Sequence, residues 1–165
     1  VADICIRLLT SADWQLWKTI RLQALKDSPH SFGSSYEEAL LCNDQYFKEM
    51  LEENDIFAAF DGNEIIGCVG FSALKNAKTA HRGMIWGMYT SLAARGKGVA
   101  KQLMHQVIKH AADYVTQLHL HCVTENTVAL ALYQQFDFET YGTELKSIKV
   151  HNQFYDQYLM VLELA

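Results

Sequence analysis

Residues 88–111 read MYTSLAARGKGVAKQLMHQVIKHA, and this stretch decides the fold. Two glycines, Gly96 and Gly98, stand beside Arg95 and Lys97 just where an apolar run gives way to a helical pattern. Glycine weakens the interior of either element, so a pair of them marks a turn. Beyond it, Val99, Leu103, Val107 and Ala111 form one row at four-residue spacing. Ala100, Met104, Ile108 and Ala112 form the adjacent row, giving a helix with one apolar side. The first amides of a helix have no internal partners and carry the positive end of its dipole. A strand, a glycine turn and a helix therefore make an anion cradle, above all for phosphate.

Two phosphate motifs fail here. A Walker loop requires glycine where Ser91 stands and Ser or Thr where Gly98 stands. The dinucleotide fingerprint requires Gly or Ala where Lys101 stands.

The rest of the chain sets the frame. Its 165 residues fit one domain, 1–165, with no repeat, linker or charge block to divide it. Half the residues are hydrophobic, and the net charge of −5 offers no basic footprint for nucleic acid. Cys5, Cys42, Cys68 and Cys122 are too scattered for a metal or redox motif. They read as reduced thiols in a cytoplasmic protein, and no metal is expected. The first residues lack a signal-peptide pattern, and no apolar run is long enough to cross a membrane.

Periodicity predicts strands at 4–9, 56–60, 64–74, 82–92, 118–124 and 154–164. The second and third join through Asp61-Gly62-Asn63 as a hairpin. Gly87 inside the fourth strand signals a bulge or a close backbone approach. Helices are predicted from Ala12 to about Asp27, from about Tyr36 to Leu51, from Val99, and from Val128 to Phe136. The order implies a mixed α/β (α+β) domain.

A second cluster joins the glycine turn. Asn126, Ala129, Leu132, Tyr133 and Phe138 follow the pattern N-x-x-A-x-x-L-Y-x-x-x-G-F, with Asp137 in place of its glycine. Arg95 to Ala100 follow [RQ]-x-x-G-x-[GA]. Together they resemble the GNAT superfamily of acetyl-CoA-dependent N-acetyltransferases. The resemblance is specific over Arg95–Phe138 and topological elsewhere. Thr90 and Leu92 depart from it, standing where valine and proline are common.

The resemblance implies a mostly antiparallel sheet of six to seven strands, with parallel, splayed central strands and about four flanking helices. It implies that acetyl-CoA is held by Met88, Tyr89, Thr90, Arg95, Gly96, Lys97, Gly98, Val99, Ala100, Asn126, Ala129 and Tyr133. Met88 and Thr90 would pair their backbone with the pantetheine arm. The N–H of Met88 or its neighbour would face the developing oxyanion, and Tyr133 would be the general acid. The residues read alone also allow Asn126 as a helix cap and Tyr133 as a core tyrosine.

For a base, residues 83–90 offer neither glutamate nor histidine. His81 is the candidate beside them; His119, His121, Glu125 and a water relay are the others. Phe32 and Tyr36 are candidate acceptor contacts, with Tyr141 and Tyr155 as further aromatics. The acidic residues 37, 38, 49, 52 and 53 would attract a polyamine or simply be solvated. The expected activity is acetylation of a small primary amine. A peptide or lysine acetyltransferase and a non-catalytic acyl-CoA-binding module are the rivals. Homodimerisation is left open.

Overall fold

The β-rich runs assemble into one mixed sheet in a computed structural model that describes residues 3–165. Its strands are β1 (Ile4–Leu8), β2 (Asp55–Asp61), β3 (Glu64–Ala73), β4 (Arg82–Thr90), β5 (Gln117–Val123), β6 (Glu139–Val150) and β7 (Gln153–Glu163). Their order is β1-β2-β3-β4-β5-β7-β6. Every pairing is antiparallel except β4 with β5. The sequence pattern assigns no strand to 139–150. β6 there is a mostly exposed edge strand, so it carries little of the apolar alternation that reveals a half-buried one.

Among the described residues, five α-helices cover the two faces: α1 (Trp14–Asp27), α2 (Tyr36–Leu40), α3 (Asp44–Glu53), α4 (Val99–Ala111) and α5 (Thr127–Gln135). The single helix expected at 36–51 is thus two. Ser35 caps the first, accepting from the Glu38 amide, and Asn43 caps the second, accepting from the Tyr46 amide. Asn43 competes for backbone donors and stops the first helix before it can run on.

Strand alternation sends Phe57 and Ala59 to one face and Ile56, Ala58 and Phe60 to the other. The first face packs on α4, whose Val99, Leu103, Met104, Val107 and Ala111 are all buried, and on Tyr133 of α5. The second packs on Trp17, Ile20 and Ala24 of α1 and on Phe47 and Leu51 of α3. With both faces covered, β2 is buried along nearly its whole length. Cys68 and Cys122 are buried, Cys42 is half-buried and Cys5 is exposed.

Candidate functional site

The site begins with a register fault. Cys68 of β3 pairs with Tyr89 and Gly70 pairs with Trp86, so Gly87 and Met88 together oppose the single Val69. This is a β-bulge in β4, and Gly87 takes it at a φ of +67°. At Gly70 itself there is no room for a side chain, because a Cβ there would meet the Trp86 ring at 2.4 Å. On its other edge β4 pairs with β5 only at Arg82↔Gln117, Gly83↔Leu118 and Met84↔His119. From Ile85 onward the parallel strands part, while β5 continues along β7. The bulge therefore lies where the sheet is open.

β4 runs into the glycine turn. Gly96 and Gly98 have φ of +76° and +79°, and Gly98 is the N-cap of α4. A Cβ on either would meet nothing within 4 Å, so backbone conformation rather than crowding requires glycine. Among the described residues, no backbone N–H from Gly96 to Lys101 donates to an acceptor in the protein. Six consecutive open donors at a helix start, with space in front of them, fit a diphosphate. Arg95 turns back instead, its Nε donating to the Thr90 carbonyl at 3.1 Å. Lys97 is exposed. Thr90 Oγ1 is buried without a hydrogen-bond partner beside the parted edge.

α5 stands after β5. Asn126 caps it, its side chain accepting from the Ala129 amide at 3.2 Å. The asparagine oxygen thus has a structural task. Tyr133 is buried and packs edge-on against Phe138. Burial, with the nearby Cys122, pushes the Tyr133 phenol well above its usual range, so it is protonated at neutral pH. Asp137 has a φ of +67°, the left-handed conformation that the glycine of the pattern would take. The substitution keeps the turn at a cost in strain.

On the other face, Tyr89 packs against α1. Its hydroxyl donates to Asp27 Oδ2 at 2.5 Å and accepts from Gln23 Nε2 at 3.2 Å. Burial and the Asp27 carboxylate push its pKa up to about 12. Its side chain is engaged on the α1 face, so only its backbone borders the opening.

A cavity of about 370 Å3 lies between the loop after α1 and the far end of the β6–β7 hairpin. Phe32 and Tyr36 both line it, with Leu25, Ser34, Glu37 and Ile148. The hairpin closes through His151 and Asn152, both at positive φ. Tyr155 stacks on His30 with ring centroids 5.1 Å apart, and Tyr141 is exposed beside His119; neither lines the cavity. Its own backbone amide and then the hydroxyl of Ser35 hold the Glu37 carboxyl below its usual range.

The structure does not bring His81 to the site. It is exposed at the opposite end of β4, and the strand rise places it roughly 20 Å from the bulge. His119 is buried between Arg82, Gln117 and Tyr141. Burial and then the Arg82 charge lower its pKa.

The sequence reading missed Arg21. This residue of α1 is 8% exposed and touches the aromatic faces of Trp17, Phe32 and Trp86. The signal was available: Arg21 interrupts the buried stripe Trp17, Ile20, Ala24 and Leu25.

Fold and loop define the class as an acyltransferase built to take coenzyme A thioesters. The chain belongs to the Acetyltransferase (GNAT) family, whose model matches residues 17–138. It is similar in structure to a GNAT-family acetyltransferase from Streptococcus pneumoniae, with a TM-score of 0.86, 21% identity, and 99% of this chain and 100% of that one covered. It is similar also to yncA from Salmonella typhimurium, solved with its cofactor acetyl-CoA, at a TM-score of 0.82 and 14% identity, covering 99% and 95%. A ribosomal-protein-alanine N-acetyltransferase from Brucella melitensis superposes at 0.81 with 19% identity, covering 97% and 99%. Comparison with curated proteins finds no match. Among the described residues, no helix is long and apolar enough to cross a membrane.

Proposed function

We propose that this acyltransferase moves the acetyl group of acetyl-CoA directly to the primary amine of a small molecule. The observation that carries the reading is the run of open amides from Gly96 to Lys101, set at the end of a strand that has just parted from its neighbour. When bound, acetyl-CoA supplies a thioester whose C–S bond is exchanged for a C–N bond: ammonium and thioester give acetamide, thiol and one proton.

The chain's own residues divide the work. The Gly96–Lys101 amides and Lys97 hold the diphosphate. Thr90 Oγ1 gains in the arm the partner it lacks in the protein. The Met88 N–H stands at the bulge, where a pre-set donor lowers the barrier by stabilising an oxyanion. Tyr133 donates its proton toward the sulfur. Its raised pKa keeps that proton in place, and it also makes the phenol a weaker acid than a thiol, ordinarily near ~8.5. Its work is then chiefly the hydrogen bond to the forming thiolate. Asn126 and Ala129 shape the wall beside it. Residues 83–90 contain no histidine or carboxylate, and in this reading the amine's proton leaves through water.

Cavity size supports a small acceptor: about 370 Å3 lies within the range of small-molecule sites. Phe32 and Tyr36 are its aromatic walls. The unpaired thiols suit the reducing cytoplasm. The test is coenzyme A release from acetyl-CoA across a panel of small amines and N-terminal peptides. Turnover of peptides alone would overturn the small-acceptor reading.

A further inference from the structure

Arg21 is a buried cation without an anion. Guanidinium remains charged in proteins and presents five N–H donors. Among the described residues, Arg21 makes one side-chain hydrogen bond, from Nη2 to Ser34 Oγ at 3.2 Å, and no ion pair. The groups near it able to become anions are the Cys68 thiol and the Tyr46 phenol, and burial pushes the Cys68 thiol up to about 12, so it is neutral. The three aromatic faces attract the cation but accept none of its in-plane donors. Burying an unpaired charge is costly, and such groups are ordinarily matched by a carboxylate.

The position of this cation is as telling as its isolation. Ser34 and Phe32, which touch the guanidinium, also line the cavity. On its other side, Nη1 lies 3.5 Å from where a Cβ on Gly87 would stand, against the bulge. The charge therefore sits between the acceptor cavity and the strand residue that precedes Met88. An anion bound there would be a few ångströms from the place where the amine must attack.

We propose that the acceptor is a free α-amino acid, its carboxylate held by Arg21 and Ser34 and its side chain directed into the 370 Å3 cavity. This rests on the acetyltransferase reading above. Guanidinium and carboxylate form a two-bond fork, which fixes direction as well as charge. The short spacing between Gly87 and Arg21 selects an amine on the carbon next to the carboxylate, not one at the end of a long chain. A peptide N-terminus offers an amide in that place and leaves the cation unmatched. Transfer gives an N-acetylamino acid, coenzyme A thiol and one proton, and Arg21 is a binding residue throughout.

The experiment measures coenzyme A release with each of the twenty common L-amino acids and with its carboxamide. The carboxamide keeps the amine and side chain and loses only the charge. Its amine is the less basic of the two, so a preference for the acid runs against intrinsic reactivity at neutral pH. Wild type is expected to favour the acid at least ~100-fold in kcat/KM, since a site built for a polar group rejects the analogue that lacks it. Arg21→Gln is expected to bring that ratio to about one, chiefly by raising KM for the acid. Arg21→Lys, keeping charge without the fork, should fall between.

Binding is read separately from the tryptophan emission of Trp17 and Trp86, which flank Arg21. It should change with the acid and not with the carboxamide. Equal use of acid and carboxamide by wild type overturns the proposal without any variant. An equal loss of both substrates in Arg21→Gln, with its fold intact by melting, also overturns it, because that is what a purely structural arginine predicts. Calorimetry with acetyl-CoA on the same sample separates the two levels. If acetyl-CoA binds and no amino acid is acetylated, this inference fails alone; if acetyl-CoA does not bind, the activity itself fails with it.

Discussion

Replacing Gly98 with alanine tests the cradle more sharply than a charge would, because a matched control exists in the same chain. Gly98 has a φ of +79° and Gly62, at the β2–β3 turn, has +60°; a Cβ at either would stand in open space. Alanine in the left-handed region costs about 1–2 kcal/mol at both positions. For a chain of this size that lowers the melting temperature by roughly 2–8 °C. The two variants should differ only toward acetyl-CoA. The Gly98 methyl enters the space before the open amides, or the turn relaxes to negative φ and re-aims them. Losing one amide–phosphate bond costs about 1.5–3 kcal/mol. At about 1.4 kcal/mol per decade, that weakens binding roughly 10- to 150-fold. Calorimetry and urea unfolding on Gly98→Ala, Gly62→Ala and wild type give both numbers. Equal affinity in all three, with stability lowered in both variants, would refute the claim that these amides grip the diphosphate.

Three further outcomes are expected. Tyr133→Phe should lower kcat about 10- to 100-fold while acetyl-CoA affinity stays within about twofold, as the phenol's bond forms only as sulfur leaves; unchanged kcat on an established acceptor removes its role. Asp137→Gly should stabilise the protein by about 0.5–1 kcal/mol in urea unfolding, because it relieves the left-handed strain at φ +67°; no gain would mean that the aspartate's contacts offset it. For His119, burial and Arg82 place the folded pKa below the ordinary 6.5, so the unfolded chain takes up its proton first as pH falls. Its contribution is present above pH 6.5 and is lost on acidification through the folded pKa. The stability gap between wild type and His119→Gln, measured at pH 7.5 and pH 5.5, should therefore shrink at the lower pH.

What the chain states locally could be read directly. The α4 rows are helical periodicity, and all of Val99, Leu103, Val107 and Ala111 are buried as that periodicity requires. The glycines at 96 and 98 announce a positive φ, which is a property of single residues. Gly87 marks the bulge for the same reason. Local competitors and polar edges obscure the pattern: Asn43 divides a helix, and the mostly exposed edge strand β6 carries little alternation.

Relations between distant residues belonged to the tertiary structure. That β4 and β5 part after three pairs depends on β5 holding to β7 instead, a choice no single strand encodes. His81 neighbours the strand in sequence, yet strand extension carries it away from the bulge. Arg21 is one more charge on a helix until three aromatics from separate elements close around it and none brings an anion. Spacing along the chain records backbone conformation, whereas the isolation of a charge is set by everything packed around it, and only the folded molecule holds that information.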